Sequence, residues 1–503
     1  MLSARAYVHR RYEVGEVDRR LFGGFVEHIG RCVYTGVYEP GHPCADEEGF
    51  RRDVAELVRG LDMPVTRYPG GNFVSGYDWK DTVGPRSGRP VRADYAWSAL
   101  EPNQFGLDEF VRWCRVAGTS PMLAVNLGTG TAKSAQELVE YCNFPRGTAW
   151  SDLRRQNGAE EPHGIRLWCL GNEMDGPWQI GHKTAAEYGR VALEAGRMMK
   201  LADPSIELVV CGSSGSFMPT FGAWESEVLK EAYDIADYVS YHAYFSCADH
   251  DRAGFFAMPD KLGRDLDALI ATCDAVAASL RQRRKVNISL DEWNIWYRGD
   301  PNAHPETKWQ AARPINEETY DMADVVVTAG LLMSMLERAD RVKVACLAQS
   351  VNIIAPIMTR PGGGCWRQTT YYPFQIISRH GRGTVLRSVV DTPTYETAKS
   401  PEPVGLLKLT CVLSQDGSEL TVFALNRSLD EELSFELELA GFAPTALLEA
   451  TEMHHDDLDA VNTEDCERVR PEAMGEGRAA VSGTALTATL RAASFAMVRL
   501  SVK

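Results

Sequence analysis

The chain has 503 residues, 44% hydrophobic and 24% charged, which is the composition of a soluble globular protein with material for a large core. Its formal net charge of −16 repels phosphate backbones and excludes nucleic acid as a partner, and no stretch reaches the roughly 18 apolar residues of a membrane span. The N-terminus lacks a signal-peptide core and the 12 cysteines are scattered without a CxxC pair, so a cytoplasmic protein with free, reduced thiols is expected.

In chain order, residues 8–17 read as a strand that precedes the first barrel-like run. Eight apolar runs follow, each closing on polar, glycine-rich or aromatic residues: 21–30, 64–71, 121–128, 165–173, 206–212, 238–244, 287–293 and 342–349. Helical periodicity lies between them. In 50–62, Phe50, Val54, Leu57, Val58 and Leu61 share one face; further helices are expected at 107–117, 135–141, 184–202, 224–232, 262–284 and 320–336. Strands alternating with helices predict a parallel sheet, and eight such units predict a closed (β/α)8 barrel. After about His380 the pattern changes to short alternating stretches at 405–414, 419–426, 432–439 and 493–502, separated by turn residues such as Asp416 and Gly417. This predicts an antiparallel β-sandwich. The expected domains are a catalytic barrel over 18–382 and a sandwich built from 1–17 plus 383–503.

Active sites of such barrels lie where the strands end. The closing residues are Glu27 and His28, Arg67 with Asn72, Asn126, Asn172 and Glu173, Ser213 and Ser214, His242 and Tyr244, Asp291 to Trp293, and Gln349. Acids and amides bond hydroxyls and aromatic faces pack on C–H faces, so the set suits a sugar. No His and carboxylate pair at metal-ligand spacing closes these strands, and no metal or organic cofactor is expected. Glu173 and Glu292 each end a nearly continuous apolar strand, the fourth and the seventh. Two facing carboxyls are what glycosidic cleavage uses, one to protonate the leaving oxygen and one to trap the oxocarbenium-like centre. Each residue also has a bland reading. A strand-end Glu is often a cap partner, Arg67 could serve a structural acid, His242 could be a satisfied core histidine, and Trp97 and Trp296 could be packing. Gly70 with Gly71 reads as a turn.

The stretches 67–81 (RYPGGNFVSGYDWKD), 168–190 (WCLGNEMDGPWQIGHKTAAEYGR), 289–297 (SLDEWNIWY) and 348–359 (AQSVNIIAPIMT) resemble family 51 of the glycoside hydrolases, chiefly α-L-arabinofuranosidases. The resemblance implies a retaining, exo-acting enzyme on arabino- or arabinoxylo-oligosaccharides, with Glu173 as acid/base and Glu292 as nucleophile. It also implies that Glu27, Asn72, Asn172 and Gln349 bond the furanose, and that Arg67 and Tyr244 sit against Glu292, Tyr244 also facing the sugar. Trp97 and Trp296 would line the entrance. A C-terminal jelly roll and a homo-oligomer, often a hexamer in this family, go with it. One departure stands out: where the family reads Asn-Leu-Gly-Thr-Arg-Gly, residues 126–131 read NLGTGT, without the arginine. Rival readings are the same mechanism on a β-xyloside or β-glucan, and a non-catalytic sugar-binding barrel. A nucleotide-binding α/β protein is weaker still, because no GxGxxG follows an early strand.

Overall fold

Short runs of residues buried on both faces make the central sheet, as a sheet covered by helices requires. In the computed structural model, which describes residues 2–297 and 305–503, these runs are β1 (Gly23–Phe25), β2 (Val65–Tyr68), β3 (Ser120–Val125), β4 (Leu167–Leu170), β5 (Glu207–Val210), β6 (Tyr238–Phe245), β7 (Asn287–Ile295) and β8 (Val342–Leu347). All eight pair parallel with their sequence neighbours, and β8 pairs with β1 to close the barrel. Several strands are shorter than their apolar runs. The run 21–30 begins with a 3-10 turn at Arg19–Phe22 and supplies only Gly23–Phe25 to the sheet.

The expected helices are present, with bounds set by their caps. Thr184 and Glu187 form a capping box at Ala185–Ala202, Thr131 caps Ala132–Asn143, and Gly118 (φ 74) ends Leu107–Ala117 in the left-handed conformation. The 262–284 segment is a helix over Met258–Ser279. Three helices among the described residues were not expected: Ala149–Gln156, the short Arg252–Phe256, and Tyr371–His380. The last of them, Tyr371–His380, closes the barrel seam. Tyr371, Gln375 and Ser378 donate to the Leu57, Gly60 and Leu61 carbonyls at the end of the helix Arg52–Gly60. The Gly60 and Leu61 carbonyls have no intrahelical donor, while the Leu57 carbonyl also accepts from Leu61 N at 3.2 Å.

The C-terminal region is one ten-stranded hydrogen-bonded sheet. Alternate residues such as Leu409, Cys411, Val422, Leu437, Leu486 and Val498 close over an apolar core of its own, as in a sandwich. The opposite face, with Val412, Phe423, Leu425, Phe495 and Met497, joins the barrel's core cluster. The helix Met322–Leu336 fits between them and is buried along its whole length, which explains why it is apolar all round. The N-terminal strand spans Leu2–Glu16, longer than expected. It pairs antiparallel with Thr384–Asp391 and parallel with Leu433–Ala440, so the first residues of the chain lie within the C-terminal sheet.

Candidate active site

The strand ends converge on a pocket of about 470 Å³ lined by Glu27, Asn72, Trp97, Glu173, Tyr244, Glu292, Trp296 and Gln349, among others. Its floor is organised by Arg67, which is fully buried on β2. Arg67 donates through Nη1 to Glu292 Oε1 (2.7 Å) and through Nη2 to Asn172 Oδ1 (2.7 Å), and its Nε faces Asp291 Oδ2 at 3.6 Å. Tyr244 donates to the other oxygen of Glu292 at 2.7 Å. The nucleophile candidate is thereby held at both oxygens.

Two consecutive acids reach this floor because β7 is bulged. Ser289 to Glu292 opposes Ser240 to His242 on one side, and Leu290 to Trp293 opposes Ala345 to Leu347 on the other, so β7 carries one extra residue against both neighbours. In a regular strand Asp291 and Glu292 would face opposite ways; the bulge turns both inward. Trp293 then points outward and stacks on Phe374.

Glu173 lies three residues past β4, after Gly171 (φ 94), and itself sits at φ 44, a left-handed conformation that is strained for a side-chain-bearing residue. Its Oε1 meets His242 Nδ1 at 2.9 Å and its Oε2 accepts from Trp178 Nε1 at 2.5 Å. His242 Nε2 faces Asp291 Oδ1 at 3.2 Å. With carboxylates at both ring nitrogens, His242 acts as a double donor. Burial favours the neutral ring, but Glu292, Asp291 and Glu173 outweigh it and push His242 up to about 10. Asp291 is also buried, yet Arg67 and His242 hold it below the usual carboxylate range. The nearest polar atoms of Glu173, His242 and Glu292 all lie within 4.8 Å of one another.

Glu27 forms the opposite wall. It accepts from Phe73 N (3.1 Å), Trp97 Nε1 (3.0 Å) and Gln349 Nε2 (3.0 Å). Burial, with Glu292 nearby, pushes its carboxyl up to about 7. Trp296 packs edge-on against Tyr244. Asn172 lies beneath the pocket, its Nδ2 3.5 Å from Asn72 Oδ1.

Every residue singled out above as a catalytic or sugar-contacting candidate is therefore at the pocket or directly under it. Besides Trp293, three other strand-end residues are not. His28 is buried between Glu101 and Tyr68, Asn126 folds back to accept from Gly128, Thr129 and Gly130, and Ser213 is held by Glu225. The missing arginine has a local cause: a Cβ at Gly130 would meet the Asn126 carbonyl oxygen at 2.4 Å, and Thr131 is used as a helix cap. Gly71 is more than a turn residue, since a Cβ there would lie 2.7 Å from Glu292 Oε1. Sequence reading missed the work of His242 and Asp291, and it missed Trp178 and Phe217, a tilted aromatic pair exposed at the rim. The signal for the pair was an aromatic shortly after each of the fourth and fifth strand ends.

Comparison with known proteins agrees with this geometry. Family models described as the α-L-arabinofuranosidase 1 domain and the α-L-arabinofuranosidase C-terminal domain match residues 57–254 and 291–494. The chain is 46% identical over 500 residues to an intracellular exo-α-(1→5)-L-arabinofuranosidase 1 of Bacillus subtilis, covering 99% of each chain. It is 49% identical to an exo-α-(1→6)-L-arabinofuranosidase of Bifidobacterium longum, covering 93% of this chain and 91% of that one. A solved family 51 α-L-arabinofuranosidase from Bifidobacterium longum superposes with a TM-score of 0.93 at 41% identity, covering 98% of this chain and 99% of that one. Strand-end chemistry, barrel closure and relatedness along the whole length lead to one assignment: the chain belongs to glycoside hydrolase family 51, the α-L-arabinofuranosidases.

Proposed function

We propose that the protein removes terminal α-L-arabinofuranose from short arabino- or arabinoxylo-oligosaccharides by double displacement, with Glu173 as acid/base and Glu292 as nucleophile. The observation that carries the mechanism is the approach of the two carboxyls, whose nearest oxygens lie within 4.8 Å. Retaining enzymes hold their carboxyls about 5–5.5 Å apart, whereas inverting ones leave about 6.5–9.5 Å for a water.

In the first step Glu292 attacks the anomeric carbon and Glu173 gives its proton to the departing glycosidic oxygen, leaving a glycosyl ester and a free alcohol. In the second step Glu173 takes a proton from water, the water oxygen attacks the anomeric carbon, and Glu292 leaves as a carboxylate. Both steps use carboxyl groups alone, so exhaustive chelation is expected to leave turnover intact. The α-(1→5) and α-(1→6) preferences belong to the relatives so named; a panel of disaccharides and aryl glycosides, xylosides included, reads this chain's own preference. A cytoplasmic location goes with the word "intracellular" in the Bacillus relative's name. The homo-oligomer implied by the family is read by sedimentation velocity.

The decisive experiment separates the two glutamates with a dinitrophenyl arabinofuranoside. Glu173→Ala should glycosylate rapidly and then stall, and azide should restore turnover with retained configuration. Glu292→Ala should be slow with every leaving group, and azide should give only the inverted product. The reverse pattern would swap the roles. A loss under tenfold in both, about 1.4 kcal/mol, would remove both residues from the mechanism.

A further inference from the structure

Outside the active site, one other cluster among the described residues brings metal-ligating side chains together: His42, Cys44 and Asp53, whose donor atoms all lie within 4.8 Å of one another. His42 and Cys44 are in the loop after β1, and Asp53 begins the helix Arg52–Gly60. A fourth donor comes from the far end of the barrel. The Cys365 thiol, on the short hairpin Ile357–Thr359/Cys365–Arg367 after β8, stands just outside that group, beside Asp53 and Cys44.

The surroundings of these donors resemble the outer layer of a metal site. His42 Nε2 donates to the Gly363 carbonyl at 2.9 Å, which fixes the tautomer and leaves Nδ1 turned toward Cys44. Ligating histidines characteristically spend their second nitrogen on such a carbonyl or carboxylate. Asp53 is gripped at both oxygens by the fully buried Arg51 (3.0 and 2.6 Å), which also donates to Gly363 O at 3.0 Å and pairs with Glu39 at 2.9 Å. His42, Cys44, Asp53 and Cys365 are each partly open to solvent, so an ion can enter.

We propose that His42, Cys44, Asp53 and Cys365 bind a thiophilic divalent cation of the zinc class. One imidazole, two thiolates and one carboxylate make a four-donor set of the kind that ion takes. On binding, each thiol gives its proton to the buffer, and the Cys44 N–H to His42 Nδ1 hydrogen bond is replaced by the metal bond. Two thiolates neutralise the ion, and Arg51 stays matched by Asp53 and Glu39. The bound ion staples the loop after β1 to the hairpin after β8, across the seam where the barrel closes. Its effect is on stability, not on the chemistry of Glu173 and Glu292.

The test is a cobalt titration of the reduced, metal-stripped full-length protein. One Co2+ per chain is expected, with a thiolate-to-cobalt charge-transfer band that zinc abolishes by displacement and that Cys44→Ser lacks. Zinc should raise the melting temperature of the wild type and not of Cys44→Ser, while the variant's retained turnover shows that it is folded. The other candidate cluster, Glu173, His242 and Glu292, has no thiol and cannot produce that band. Stoichiometric cobalt without the band, no binding by the wild type, or a band that survives in a Cys44→Ser, Cys365→Ser double variant would each overturn the proposal. The wild-type titration stands as a test even if the variants fail to fold.

Discussion

Replacing His242 by asparagine should change how the protein's stability depends on pH, not only how fast it works. His242 is fully buried with Glu173, Asp291 and Glu292 around it, and its pKa is raised from 6.5 to about 10. A folded-state pKa above the unfolded one contributes stability that is complete below pH 6.5 and is lost as the pH rises through about 10. The shift corresponds to an upper bound on the order of 5 kcal/mol, with about half of it left near pH 8. Asparagine cannot carry the charge, so the variant lacks this pH-dependent part and keeps only a constant loss of packing. The assay is urea unfolding of both proteins from pH 6 to pH 10. The gap between their midpoints should be widest at pH 6 and should narrow steadily to pH 10. A gap that stays constant would refute the idea that a buried imidazolium holds the three carboxyl groups together, and would reduce His242 to a packing residue.

Other consequences are open to simpler measurements. Gly71→Ala places a methyl 2.7 Å from Glu292 Oε1 and should lower kcat/KM at least about 100-fold, near 3 kcal/mol, without unfolding the protein; near-normal turnover would remove the close approach from the argument. The rate should follow a bell-shaped pH profile, because protonation of Glu292 removes the nucleophile at low pH and ionisation of Glu173 removes the acid at high pH. A rate still climbing above about pH 9 would contradict a carboxylic acid donor. A fragment ending at residue 382 should be insoluble, since it uncovers the apolar helix Met322–Leu336; a soluble, active fragment would show that the sheet is dispensable.

Much of this site was legible because a parallel barrel collects its strand ends in one place. Reading only those ends brings Arg67, Glu173, Tyr244, Glu292 and Gln349 together without any knowledge of distance. What stayed hidden depends on local departures from regularity or on neighbours distant in sequence. A strict two-residue period sends Asp291 away from Glu292; only the bulge in β7 makes them share Arg67 and His242. His242 is indistinguishable from a packing histidine until Glu173 and Asp291 are seen at its two nitrogens. The helix Tyr371–His380 was not expected; its Pro373 is tolerated because it falls in the first turn. The N-terminal strand looked as though it began at Val8 because Ala4 and Ala6, small and unassuming in sequence, fill the inward positions before it.

That strand imposes an order on biosynthesis. Leu2–Glu16 leaves the ribosome long before its two hydrogen-bonding neighbours, Thr384–Asp391 and Leu433–Ala440. At roughly 5–20 residues per second, the strand waits on the order of 20–85 s with both edges unpaired. Unpaired edges invite pairing with other chains, and charged residues along them are the usual safeguard. Arg5, Arg10, Arg11 and Glu13 are spaced along this strand and are charges of that kind. A ribosome-held chain ending before residue 384 should therefore offer its first sixteen residues to a protease that cannot cut them in the finished protein.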